Sequence, residues 1–270
     1  MKLELEGRAA WVYTGGRAFD ASLPAVLLVH GAMDDHSVWA LQSRWLAHHG
    51  HAVLAVDLPG HGRSAGPALA SVEALADWVV ALLDAVGARA PLLVGHSMGS
   101  LVALEAAARL GERARGLVMV GTAYPMKVSP ALLDTARADP LRAIDLVNGY
   151  AHSTLAAKPS APAPGFWLRG QARALNRRNL RGYAEAGHGN LFHHDFQVCD
   201  AYAHGLEAAA TVRCPTRFVL GERDQMTPPS ATAALAQALR ADIVRLPAGH
   251  ALMGEAPDGV LEVLGAMPLP

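Results

Sequence analysis

The stretch Pro91-Leu92-Leu93-Val94-Gly95-His96-Ser97-Met98-Gly99 decides how this chain is read. A short apolar run leads into a serine bracketed by glycines, and a helical pattern follows over 97–110. A G-x-S-x-G pentapeptide between strand and helix builds a tight turn. Its small residues let the backbone pass close by, and its serine is held in a strained conformation at the strand's carboxyl end. Ser97 is therefore the candidate nucleophile. At a helix N-terminus it also meets backbone N–H groups and the positive end of the helix dipole, which suit a developing negative charge.

Outward from this turn, short β-branched and leucine-rich runs bounded by glycine or proline recur at 25–29, 52–56, 116–120, 216–220 and 243–246, the first three apolar at every position. Such runs suit strands covered on both faces, as in a parallel sheet. Between them lie helical patterns at 72–86 and 230–239. The first has Ser71 as a candidate N-cap and acids at Glu73, Asp77 and Asp84. The alternation predicts a doubly wound, mostly parallel α/β sheet. Residues 2–14 read as an antiparallel hairpin feeding it, which brings the count to eight strands. From 124 to 210 the helical patterns continue without a buried strand, through the proline-rich KPSAPAPG at 158–165. An insertion of that size predicts a helical cap over 124–210, set into a core of 1–123 and 211–270.

The composition agrees. Of 270 residues 51% are hydrophobic and only 17% charged, below the ~25% charged usual in globular proteins, which predicts a sizeable core and excludes disorder. A net charge of −1 gives none of the positive excess that a nucleic-acid partner requires. Cys199 and Cys214 are too few for a disulfide framework or a four-thiolate metal site, and read as buried thiols in a reducing compartment. The opening MKLELEGR alternates leucine and glutamate like a strand rather than a secretory peptide. No apolar run approaches the ~20 residues of a membrane span. The expectation is a cytoplasmic protein; a homodimer is left open.

A serine hydroxyl needs a general base, and the base needs an orienting acid. Asp224, in Gly221-Glu222-Arg223-Asp224, follows the run at 216–220, and His250, in Ala248-Gly249-His250, follows the run at 243–246. Each lies just past the carboxyl end of a predicted parallel strand, where such sheets place their sites. The plainer alternatives are a turn acid capping Thr227-Pro228-Pro229-Ser230 for Asp224 and a structural histidine for His250, with Glu222 as reserve acid. After the run at 25–29 comes His30-Gly31-Ala32-Met33, so the backbone N–H groups of Ala32 and Met98 are the candidate oxyanion hole; losing one such donor typically costs ~3 kcal/mol. The Met98 side chain reads as packing, and the turn from Asp57 to Ser64 as structural. His193, His194 and Asp195 point to different faces of a helix, and His48, His49 and His51 read as a solvated helix end, so neither group suits a metal. No metal and no cofactor are expected. Met33, Met126, Trp167, Phe192 and Phe196, with Tyr202, are candidates to line an apolar substrate pocket, or equally to form the cap's own core.

At HGAMDDHSVW (30–39), DLPGHGRS (57–64), GHSMG (95–99), GERD (221–224) and AGH (248–250) the chain resembles the α/β-hydrolase superfamily along nearly its whole length. The resemblance implies Ser97 as nucleophile, His250 as base, Asp224 as orienting acid, Ala32 and Met98 as oxyanion donors, and a cap between the sixth and seventh strands. Related dehalogenases and epoxide hydrolases carry an aspartate where this chain has Ser97, which disfavours those chemistries. The implied activity is cofactor-independent hydrolysis of small to medium apolar carboxylic esters through an acyl-enzyme. Diketone C–C hydrolysis, thioester hydrolysis and peracid formation use the same triad, and a related fold also serves as a small-molecule receptor. The segment 188–203 resembles a cap segment of some bacterial members, without an assigned role.

Overall fold

A hairpin of β1 (Lys2–Leu5) and β2 (Arg8–Tyr13) opens the chain. Strands and helices then alternate: β3 (Ala25–Val29), α1 (Ala40–His48), β4 (Ala52–Val56), α2 (Val72–Ala85), β5 (Leu92–His96), α3 (Met98–Leu110) and β6 (Gly116–Val120). Helices α4 (Pro130–Ala138), α5 (Pro140–Ala151), α6 (Pro164–Glu185), α7 (Leu191–Ala201) and α8 (Gly205–Thr211) separate β6 from β7 (Thr216–Gly221). The chain continues through α9 (Ala233–Leu239), β8 (Asp242–Leu246), α10 (Leu252–Glu255) and α11 (Pro257–Gly265). This computed structural model describes residues 1–153 and 164–267; the proline-rich stretch at 158–165 lies almost wholly outside the described residues.

The strands form one eight-stranded sheet in the order β1-β2-β4-β3-β5-β6-β7-β8. The hairpin joins it antiparallel and the other pairs are parallel. Successive side chains of a strand leave opposite faces, so the fully apolar runs split between two cores. Leu27, Val29, Leu93, Leu117 and Met119 meet α2 and α3 on one face. Val26, Leu28, Val94, Val118 and Val120 meet α1, α10 and α11 on the other. Ser71 caps α2 as its position suggests, its side chain accepting the Ala74 N–H at 3.1 Å.

Two local readings need correction. β8 is the sheet's edge strand and is largely exposed, with Ile243 45% accessible, because among the described residues no strand pairs with its outer edge. The helical pattern at 230–239 becomes a 3-10 turn at Pro229–Thr232 followed by α9; the Pro228-Pro229 pair delays the regular helix.

The inserted helices form a cap with its own core of Ile144, Leu191, Phe192 and Phe196, into which Met33 reaches from the sheet. Pro130 and Pro140 occupy first turns behind the N-caps Ser129 and Asp139, positions where a missing N–H costs nothing. The last of the five, α8, packs against α3 and α9. Cys199 is buried and Cys214 half-buried, both as free thiols; burial pushes the Cys214 thiol up to about 11 and that of Cys199 further. Among the described residues no helix is long and apolar enough to cross a membrane.

Candidate active site

Ser97 adopts φ 52° and ψ −121° between β5 and α3. A positive φ is costly for a non-glycine residue and persists only where the surroundings enforce it. Here they do. The Ser97 N–H donates to Val120 O at 3.0 Å, and its carbonyl accepts the Ser100 N–H at 2.8 Å. A Cβ on Gly95 would lie 2.0 Å from Gly99 O, and one on Gly99 would lie 2.3 Å from His30 O. Both flanking glycines are therefore dictated by backbone contact.

His250 Nδ1 is 2.8 Å from Asp224 Oδ2. A carboxylate accepts, so Nδ1 carries the proton and Nε2 is the basic nitrogen of the neutral ring. Asp224 also accepts the N–H groups of Met226 and Thr227 and the Thr227 hydroxyl, each at 2.8 Å. One side chain thus both closes the turn that follows it and contacts the His250 ring. Burial opposes the charge on Asp224, but His250 and the Thr227 donors outweigh it and hold the carboxyl below its ordinary range. Glu222 is exposed. Two neighbours of His250 carried no expected part in the site. Thr227 Oγ1 lies 3.0 Å from His250 Nδ1, and His96 Nε2 donates to His250 O at 2.9 Å while its ring packs 4.7 Å from the His250 ring. Burial, then His250, pushes His96 down to about 3.

The loop after β3 is held from the cap. Asp195 on α7 accepts the Met33 N–H at 2.8 Å and contacts His61 Nε2 at 2.9 Å. On α6, Asn176 and Asn179 stand three residues apart on one helix face. Asn176 Nδ2 donates to Met33 O and Asp34 Oδ1, both at 3.2 Å. Asn179 Nδ2 donates to Met33 O and Asp34 O, both at 3.0 Å. Arg178 pairs with Asp35. His61 Nδ1 faces Pro59 O at 3.1 Å; both its partners only accept, so both ring nitrogens carry protons. Burial opposes that charge, and Asp195 outweighs burial and raises the ring's pKa. His30 is the reverse. It faces Gly31 O through Nδ1 and accepts the Leu58 N–H on Nε2, and burial pushes it down to about 4. The turn from Asp57 to Ser64 thus supplies a partner for Asp195 as well as structure.

Ser97 and His250 line one cavity of about 1240 Å³ beneath the cap. Ala32, Met33, Met126, Phe192 and Phe196 share its wall, and the two phenylalanines stack at 4.4 Å. Met98 begins α3 and buries its side chain in the core. Trp167, a candidate for the pocket or the cap's core, is instead 65% exposed and off the cavity wall, while the next residue of α6, Leu168, lines it. Tyr202 faces α3, where its hydroxyl donates to Glu105 at 2.7 Å. His193, His194 and Asp195 reach Arg137, Leu69 O and Met33 respectively. His48 and His49 are exposed and His51 half-buried. Asp35, His36 and Asp57 bring potential metal-ligating atoms within 4.8 Å of one another, but Arg178, Ser37, Arg63 and the His36 ring itself already engage the two carboxylates.

A family model described as alpha/beta hydrolase fold matches residues 24–257. The chain belongs to the α/β-hydrolase fold family. Over 124 residues, 45% of its length, this α/β hydrolase is 36% identical to the dihydrolipoyllysine-residue acetyltransferase component of the acetoin cleaving system of Pseudomonas putida, covering 32% of that protein. Over 158 residues, 55% of its length, it is 28% identical to an epoxide hydrolase of Caballeronia sordidicola, covering 48% of it. It therefore spans less than half the length of either relative. In fold it is similar to the enol-lactonase of Burkholderia xenovorans LB400, with a TM-score of 0.81, 23% identity and 99% of each chain covered.

Proposed function

We propose that this α/β hydrolase is a serine hydrolase of small to medium, mainly apolar carboxylic esters. One observation carries the reading: Asp224 Oδ2 stands 2.8 Å from His250 Nδ1, while His250 and the strained Ser97 open onto the same cavity. Ser97 Oγ attacks the ester carbonyl as His250 Nε2 takes its proton. The oxyanion formed is met by the N–H groups of Ala32 and Met98, the latter at the positive end of α3. Collapse of the tetrahedral centre expels the alcohol, which receives the proton from His250. Water, deprotonated by His250, then cleaves the acyl-enzyme and releases the acid. Opening an epoxide through a covalent ester would need a carboxylate at position 97, where this chain has serine.

Steady-state assays with p-nitrophenyl acetate, butyrate and octanoate, run beside a vinylogous diketone, a thioester and hydrogen peroxide with acetate, test the reading. It expects turnover of the p-nitrophenyl esters. Diketone turnover without ester turnover would replace it with C–C hydrolysis, and binding without any turnover would favour a receptor.

A further inference from the structure

Asp34 stands on the wall of the cavity that holds Ser97 and His250. Asp34 is half-buried, and a carboxylate drawn partly out of water ordinarily gathers two or three donors. Among the described residues, Asn176 Nδ2, at 3.2 Å from Oδ1, is the one group that donates to this one. Its neighbours are otherwise committed: Arg178 is paired with Asp35, and Asn179 is spent on the backbone carbonyls of Met33 and Asp34. Among the described residues no further donor reaches the remaining lone pairs of Asp34, which line a cavity whose wall combines Met33, Leu175, Phe192 and Phe196 with Ser37, Asn176 and Arg178. A carboxylate with a single protein donor in such a wall is the kind of polar group that fixes a ligand's orientation.

We infer that Asp34 is a specificity-determining residue, and that the natural ester carries a hydroxyl or ammonium donor on the part that enters the pocket beside the scissile carbonyl. The inference rests on the ester reading above. A donor group satisfies the carboxylate oxygen that the protein leaves open, whereas a carboxylate-bearing substrate meets a like charge. Burial, followed by the charge of Asp35, raises the Asp34 carboxyl to about 7. That is the behaviour of a site short of donors, and a hydroxyl or ammonium from the substrate would favour its ionised form.

The test is kcat/KM at pH 8 for methyl butanoate, its 2-, 3- and 4-hydroxy derivatives, methyl 4-aminobutanoate and monomethyl succinate. In the wild-type protein at least one hydroxy or amino ester should exceed methyl butanoate by about ten- to a hundredfold, the worth of one hydrogen bond to a charged group. Monomethyl succinate should fall below methyl butanoate. Asp34→Ala should abolish the donor preference, while Asp34→Asn should keep a hydroxyl preference and lose an ammonium one. Turnover of methyl butanoate with no donor preference overturns the inference alone, as does a preference that survives in Asp34→Ala. No turnover of any ester overturns the ester reading and this inference together.

Discussion

The Asp195 carboxylate accepts the backbone N–H of Met33 at 2.8 Å across 162 positions of sequence. Met33 follows Ala32, the proposed oxyanion donor, and sits at φ 66°, a conformation that an unbranched L-residue adopts only under constraint. The constraint comes from the cap: Asp195 takes the Met33 N–H, and Asn176 and Asn179 take its carbonyl. The oxyanion loop belongs by sequence to the sheet and by hydrogen bonding to the cap. Donors stabilise a transition state only when already aimed, so under the proposed mechanism the cap would act on rate as well as on substrate choice.

Asp195→Asn should therefore lower kcat for p-nitrophenyl butyrate by about ten- to a hundredfold, part of the loss expected for a complete oxyanion donor, with KM changed by less than about threefold. Asp195→Ala should also destabilise the protein by about 1–3 kcal/mol, because it leaves the buried Met33 N–H and His61 Nε2 without their acceptor. Stopped-flow and steady-state kinetics separate the two parameters. A higher KM with kcat intact would show that Asp195 shapes the pocket and not the loop.

Gly95→Ala tests the elbow. With Gly99 O only 2.0 Å from the new Cβ and both partners backbone, neither side chain nor rotamer relieves the clash. We expect a loss of about 3 kcal/mol or more and a fall in Tm of about 10 °C, given ~2–4 °C per kcal/mol at this chain length. A Tm within 2 °C of wild type, roughly the effect of half a kcal/mol, would contradict the close approach of β5 and α3.

Acid should destabilise the fold through His30 and His96. Both are buried neutral, at about 4 and about 3 against 6.5 unfolded. Between pH 6.5 and 4 the unfolded chain binds protons that the folded chain refuses, so stability falls as pH drops, and for His96 the fall continues toward 3. Asp224, held low, adds a loss on further acidification. His61 acts oppositely: its contribution is full below 6.5 and fades as pH rises past its raised value. Urea unfolding across pH 4–7 should show a slope that His96→Gln reduces by about one proton, ~1.4 kcal/mol per pH unit. An unchanged slope would mean that His96 is protonated in the folded state.

The fold was legible because buried parallel strands are nearly all apolar and glycine or proline ends each one. The hairpin, Ser71 and the runs at 25–29, 52–56 and 116–120 needed only local chemistry. β8 misled because an edge strand and a central strand differ in neighbours, which four residues do not encode. Ser97, Asp224 and His250 could be nominated from motif and chain order; the Asp224–His250 hydrogen bond spans 26 positions and depends on where β7 and β8 lie in the sheet. Asn176, Asn179, Asp195 and His61 stayed hidden because their partners are main-chain atoms or residues over a hundred positions away. One local signal was available: the paired asparagines three residues apart on a helix. Trp167 looked like a pocket residue because the phase of α6 against the cap was unknown.

Ser97→Ala and His250→Ala should each remove most ester turnover, and the double variant should lose little more, because nucleophile and base act as a unit. Independent, multiplicative losses in the three kcat/KM values would contradict that coupling.

Treating the folded protein with a fluorophosphonate and locating the adduct by peptide mass spectrometry tests the central claim most directly. One residue, Ser97, should be phosphonylated, with labelling slowed severely in His250→Ala. An unlabelled Ser97 in folded wild-type protein, or equal labelling without His250, would contradict it.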